Sequence, residues 1–144
     1  MSLPAPEPGL VIPYAYLWRH EHRKGLEEGR KVRPCVIVLA VHSAPGGAPR
    51  VTVAPITHTP PAKDAAALEL PIRVKQALGL DDDRSWVVLD EVNQFVWPGY
   101  DIHPVPGRKT VFAYGFIPPR LYDSVIARIL SLAAARRVAE ISRD

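Results

Sequence analysis

A mainly β domain finished by a C-terminal helix, an α+β fold, is what this sequence predicts, on three observations. Seven successive apolar residues, Cys35 to Val41, rich in valine and isoleucine, read as a strand buried on both faces. Sixteen prolines cut the 144 residues into short segments, which suits strands and tight corners better than a helical bundle. Past Pro118 the apolar spacing changes to the helical period. At this length the chain reads as a single domain over 1–144, with a proline-rich lead-in over 1–8 and a C-terminal helix over 118–142.

The elements follow in order. Gly9 to Trp18 reads as a first strand, with Pro13 placing it at an edge or a bulge. Arg19 to Lys31 is polar and charged and reads as a long flexible loop of the kind that is usually functional. The central strand comes next, introduced by Arg33-Pro34. A turn rich in glycine and proline leads to Arg50–Thr57, its alternating hairpin partner. Ala67 to Ile72 is a further short strand, and Val74 to Leu80 a helical turn ended by Gly79. Asp81-Asp82-Asp83 is a solvated turn, because three adjacent carboxylates without further ligands make no calcium loop. Ser85 to Val96 reads as strand, bent into two, and Trp97 to Tyr100 as a turn with two aromatics. Thr110 to Ile117 closes the β portion. Leu121, Val125, Ile129 and Leu132, flanked by Ile126 and Ala133, then form an apolar helix face. That stripe fails at Arg136 and Arg137, so the last ten residues are expected to be solvated or to face a partner.

Charge and composition exclude several classes. A net charge of +3 is compatible with a nucleic-acid partner without implying one. The lone Cys35 permits no internal disulfide. The N-terminus lacks the basic-then-apolar pattern of a signal peptide, and no apolar run approaches the ~20 residues that span a bilayer. A cytoplasmic protein without membrane contact is expected.

Proline disfavours the helical region for the residue before it, so Arg33 is held extended at the mouth of the core strand. Antiparallel pairing brings the start of one strand beside the end of the next, so Arg33 and Thr57 should be neighbours. A guanidinium beside a hydroxyl is suited to gripping phosphate. His58 adjoins this pair and is a further catalytic candidate, since imidazole suits acid/base work, yet along a strand it would point away from Thr57 unless the prolines after it turn it inward. The remaining histidines share no metal-ligand spacing, and neither a metal nor a cofactor is expected.

Taken together, these pieces resemble the PemK/MazF family of bacterial toxins, which includes Kid. They are a Gly-led strand (Gly9 to Trp18), then Gly29 with Arg33-Pro34 running into an apolar strand. Ala54-Pro55-Ile56-Thr57-His58, Val87-Val88-Leu89-Asp90-Glu91 and a C-terminal helix complete the set. The resemblance covers roughly Gly9 to Ile141. It implies an SH3-like β-barrel, a homodimer, metal-independent cleavage of single-stranded RNA to stop translation, and an antitoxin partner in a bacterial cytoplasm. It assigns Arg33 and Thr57 as catalytic, with Asp90 as a general base. RNA binding also needs a track, for which Arg30, Lys31, Lys63 and the polar loop are candidates to contact phosphates and Trp97 or Tyr100 to stack on a base. The chain departs from the family in two extra residues between Gly29 and Arg33, in Val88 where some members carry a second arginine, and in His58 where Ser or Thr is usual. A non-catalytic module on the same barrel, binding RNA or poisoning a protein, is the competing reading. A gyrase poison of the CcdB kind ends in Trp-Gly-Ile, which this chain does not.

Overall fold

The computed structural model describes residues 3–25, 31–42 and 46–144. A largely antiparallel eight-stranded sheet curls into a half-barrel, confirming the mainly β, barrel-type fold with a C-terminal helix. Its strands are β1 (Leu10–Tyr14), β2 (Arg33–Val41), β3 (Arg50–Thr57), β4 (Ala67–Glu69), β5 (Trp86–Val88), β6 (Glu91–Val96), β7 (Gly115–Phe116) and β8 (Ala139–Ser142). The helices are α1 (Arg19–Arg23), α2 (Ile72–Leu78) and α3 (Pro119–Ala134).

The order β4-β5-β3-β2-β1-β7 is branched at β3. Along one edge β3 pairs with β2; along the other its first half pairs with β6 and its last two residues with β5. The expected bend inside Ser85 to Val96 is therefore the fork at Leu89-Asp90, where one run divides between the two ends of β3. Pro13 stands opposite Pro34 in the β1–β2 ladder, which puts both at a pairing where neither nitrogen is asked to donate.

Side chains alternate across this sheet, and both of its faces are dry. Val11, Val36, Val38, Ala54 and Ile56 face a core closed by Val125 and Ile129 of α3 and Leu78 of α2. Ile12, Tyr14, Cys35, Ile37, Val51 and Val53 face a second core with Phe95, roofed by Trp97, Ile102 and Ala113. The two-faced burial expected of the central strand holds from Cys35 to Val38 and then stops. A register shift between Ile37 and Leu39 inserts one residue, and Leu39 and Val41 emerge 49% and 46% exposed. The Tyr122 hydroxyl of α3 donates to the Val38 carbonyl at that irregularity.

Four sequence expectations change. The loop from Arg19 begins as α1, whose Glu21 carboxylate accepts the Trp18 amide in the manner of a capping box. The strand at Ala67 ends at Glu69, and Ile72 already belongs to α2, which Gly79 terminates at φ 72°. Thr110 to Ile117 contributes only Gly115 and Phe116, because Gly115 at φ 132° breaks the extended run. The segment after α3 is not helical to 142, and although Ala135, Arg136, Arg137, Glu140, Ser142 and Asp144 are exposed as expected, it is not all solvated tail. Arg136 adopts the left-handed conformation that ends the helix, as the charge pattern foretold, but the chain then returns as β8, parallel to β6. A parallel partner needs a long crossover, and α3 supplies it. Ile141 is buried, and the Arg143 side chain, 3% exposed, bonds Asp101 and the Ala15 carbonyl.

Candidate active site

β2 and β3 pair in the register Cys35 with Pro55, which continued by two residues sets Arg33 beside Thr57. Both line a cavity of about 780 Å³ at this end of the sheet. Its walls bring together parts far apart in sequence: Trp18 and His20 after β1, Lys31 before β2 and Arg33 opening it, Thr57 ending β3, Lys63 from the following loop, and Asp90 at the fork.

Arg33 is half-buried, its guanidinium carbon 4.9 Å from the centroid of the Trp18 indole. Stacking of this kind contributes about 0.5–1 kcal/mol when exposed and more when dry. Its Nε is buried without a hydrogen-bond partner, and among the described residues no carboxylate pairs with the group. Among the described residues this cation has no counter-ion and it opens on a cavity, an arrangement chemically suited to an anion. The Thr57 hydroxyl oxygen accepts the Thr59 amide at 3.2 Å, which leaves its proton to donate. Asp90 is exposed on the cavity wall while its backbone carbonyl is engaged by Ala139 of β8.

The other sequence candidates divide. Lys31 and Lys63 face the cavity. Arg30 lies outside the described residues. His58 lines a smaller cavity of about 200 Å³ that shares Lys31, Arg33 and Thr57 with the larger one. There its Nε2 lies 2.8 Å from Asp81. Trp97 is not brought to the site. It follows β6 beside the Arg50 end of β3, stacked on Phe95. The eight residues of β3 put that end about 23 Å from Thr57.

Two cavity groups were not singled out from the sequence, Trp18 and His20. A signal existed. Tyr14, Tyr16 and Trp18 recur with the period of a strand, so the aromatics of β1 continue on one face past its end. Tyr16 meets Trp18 edge-on at 5.0 Å, and the His20 ring stacks on Trp18 at 6.3 Å.

Behind the cavity the charges are tightly held. Lys75 of α2 is almost wholly buried, its ammonium 2.6 Å from Asp81 and also on the Asp83 carbonyl. The Lys75 hydrogen bond, helped by His58, holds the Asp81 carboxyl below its ordinary value. Thus the aspartate turn is a lid on a buried lysine. His58, Asp81 and Asp83 gather their ligand atoms within 4.8 Å at the surface, but Lys75 already occupies Asp81. Burial pushes the Cys35 thiol up, as befits an inert core residue. It also raises Glu91, against the hydrogen bonds that Arg19 and Tyr16 donate to it.

The family model for PemK-like, MazF-like toxins of type II toxin–antitoxin systems matches residues 17–96, the span from Trp18's neighbour through the fork to the end of β6. The chain belongs to this toxin family. No curated protein and no solved structure matches it significantly. The matched span of the toxin contains Arg33, Thr57 and Asp90 and leaves out α3 and β8. Membership in a type II family implies an antitoxin partner. Among the described residues no helix is long and apolar enough to cross a membrane.

Proposed function

We propose that this toxin is a metal-independent endoribonuclease that cleaves single-stranded RNA in the cavity at Arg33. The observation that carries this reading is the unpaired guanidinium, seated on Trp18 beside Thr57 and opening on a cavity ringed by Lys31, Lys63 and Asp90. The RNA would supply its own nucleophile, the ribose 2′-hydroxyl. Its oxygen attacks the adjacent phosphorus as the bond to the 5′-oxygen of the next nucleotide breaks. The products are a 2′,3′-cyclic phosphate and a 5′-hydroxyl.

Each step has a group to serve it. Arg33 neutralises charge on the equatorial oxygens, where a planar fork matches two of them. Thr57 donates its hydroxyl proton to a phosphate oxygen. Asp90 accepts the 2′-hydroxyl proton, and His20, which also lines the cavity, protonates the leaving oxygen. His58, turned toward Asp81, serves this chemistry less directly. Lys31 and Lys63 hold flanking phosphates.

Incubation with single-stranded RNA in excess chelator is expected to give fragments ending in 2′,3′-cyclic phosphate, identifiable by mass spectrometry. Binding without cleavage would favour the non-catalytic module, and cleavage that requires magnesium would reject the mechanism.

We further infer a homodimer, acting in the cytoplasm as one domain, whose RNA groove also receives the antitoxin. β1 pairs with β2 only as far as Val36, and Leu39, Val41 and Phe116 stand exposed nearby, a surface a second copy would cover. Light scattering near twice 15.9 kDa is expected, with labelled RNA displaced by the antitoxin. A monomer at micromolar concentration, or an antitoxin that leaves RNA bound, would refute it.

A further inference from the structure

Trp18 belongs to no strand and precedes a helix of only five residues, yet it carries the catalytic cation. Besides the Glu21 carboxylate that accepts its amide, what holds it comes from β6, on the far side of the β3 fork. Asn93, wholly buried, grips the residue before Trp18 at two points. Its Oδ1 accepts the Leu17 amide at 2.9 Å, and its Nδ2 donates to the Leu17 carbonyl at 2.8 Å. Glu91, two residues earlier on the same strand face, grips the residue after it. Its Oε1 accepts the Arg19 amide at 3.0 Å and the Tyr16 hydroxyl at 3.1 Å. The ring of that Tyr16 abuts the Trp18 indole edge-on. The backbone on both sides of Trp18 is thereby tied to β6, and its ring is braced from behind.

We propose that Glu91 and Asn93 are positioning residues for Arg33, acting through Trp18. Neither lines the cavity, so neither touches substrate. Their effect is to fix the plane on which the guanidinium lies and hence the direction of its fork. An arginine has several rotatable bonds, and nothing else among the described residues bonds this one's Nε. Without its seat Arg33 would sample many rotamers, few of them aligned with the phosphate. A misplacement of about 1 Å is enough to slow a reaction by up to ~10²-fold.

The proposal rests on the reading that Arg33 serves RNA cleavage, so its test has one arm that does not require cleavage. In ¹⁵N-resolved NMR spectra the Arg33 Nε–H, bonded to a guanidinium carbon 4.9 Å from the indole centroid, is expected to show a ring-current shift. Trp18→Ala should abolish that shift, Trp18→Phe should keep part of it, and Glu91→Ala and Asn93→Ala should move it toward the Trp18→Ala position. In the kinetic arm, Glu91→Ala is expected to lower kcat about tenfold at nearly constant KM, because positioning is lost and binding is not. Placed in a Trp18→Ala background, Glu91→Ala should cost nothing further, since residues acting through one intermediary are not additive. Asn93 is buried, and if Asn93→Ala fails to fold, the half-buried Glu91 decides the matter alone. An Arg33 signal unmoved by Glu91→Ala, or an undiminished loss in the Trp18→Ala background, would overturn the proposal. A wild type that cleaves no RNA would instead refute the proposed function, leaving the NMR arm to judge the positioning.

Discussion

Arg33→Ala is expected to slow RNA cleavage about a hundredfold, on the order of 3 kcal/mol of transition-state stabilisation, the usual cost of losing one preorganised donor. The fold should survive. Arg33 is half-buried and its Nε has no hydrogen-bonding partner, so the truncation leaves no acceptor stranded and removes an unsatisfied donor. Arg33→Lys should recover little of the loss. An ammonium brings the charge without the planar fork, and it stacks less well on Trp18. Single-turnover cleavage rates, with circular dichroism to verify folding, check both variants. An alanine variant that cleaves at the wild-type rate would remove Arg33 from the mechanism.

The largest effect on stability is expected at Asp81. Its removal leaves the Lys75 ammonium, whose side chain is 2% exposed, with the Asp83 carbonyl but no carboxylate. Breaking a fully buried pair costs about 3–5 kcal/mol. Asp81 is itself half exposed, and water screens the interaction, so about 2 kcal/mol is the expectation for Asp81→Ala. Lys75→Met removes the buried charge together with its need for a partner and should cost much less. The pH dependence has a definite sign. Lys75 holds the Asp81 carboxyl below its ordinary 3.8, so the folded state binds this proton less readily than the unfolded chain. The stabilisation is complete above that ordinary value and is lost as the pH falls from there through the lower value of the folded state. Urea melts of wild type and Asp81→Asn should therefore differ most near neutrality and converge in acid. Equal stabilities at pH 7 would show that the lysine needs no carboxylate.

Much of this architecture was legible from residues. The Cys35–Val38 run, the Arg50–Thr57 hairpin partner and the Arg33–Thr57 neighbourhood all follow from period and pairing, which are local properties. Gly79 and the paired prolines before α3 marked their boundaries for equally local reasons. What escaped was non-local. Ala139–Ser142 carries too few apolar residues to announce a strand, and it is one because β6 offers an edge at the end of the α3 crossover. Arg143 reads as a solvated tail, yet Asp101 and the Ala15 carbonyl, over 40 and over 120 residues away, make it a core residue. Trp18 and His20 were passed over because their roles depend on where Arg33 lies, which no spacing within 18–33 reveals. His58 was weighed on its proximity in sequence to Thr57; the pull of Asp81, 23 residues on, decides where its ring points.

The bonds from Asn93 to Leu17 join points 76 residues apart, and those from Glu91 to Arg19 join points 72 apart. Contacts of such sequence separation form late, because the entropy of closing the loop must be met before they contribute anything. The β2–β3 hairpin, by contrast, is local and can form early. The neighbourhood of Arg33 and Thr57 is thus the product of one local hairpin, whereas the anchoring of the Trp18 segment is a product of the whole fold.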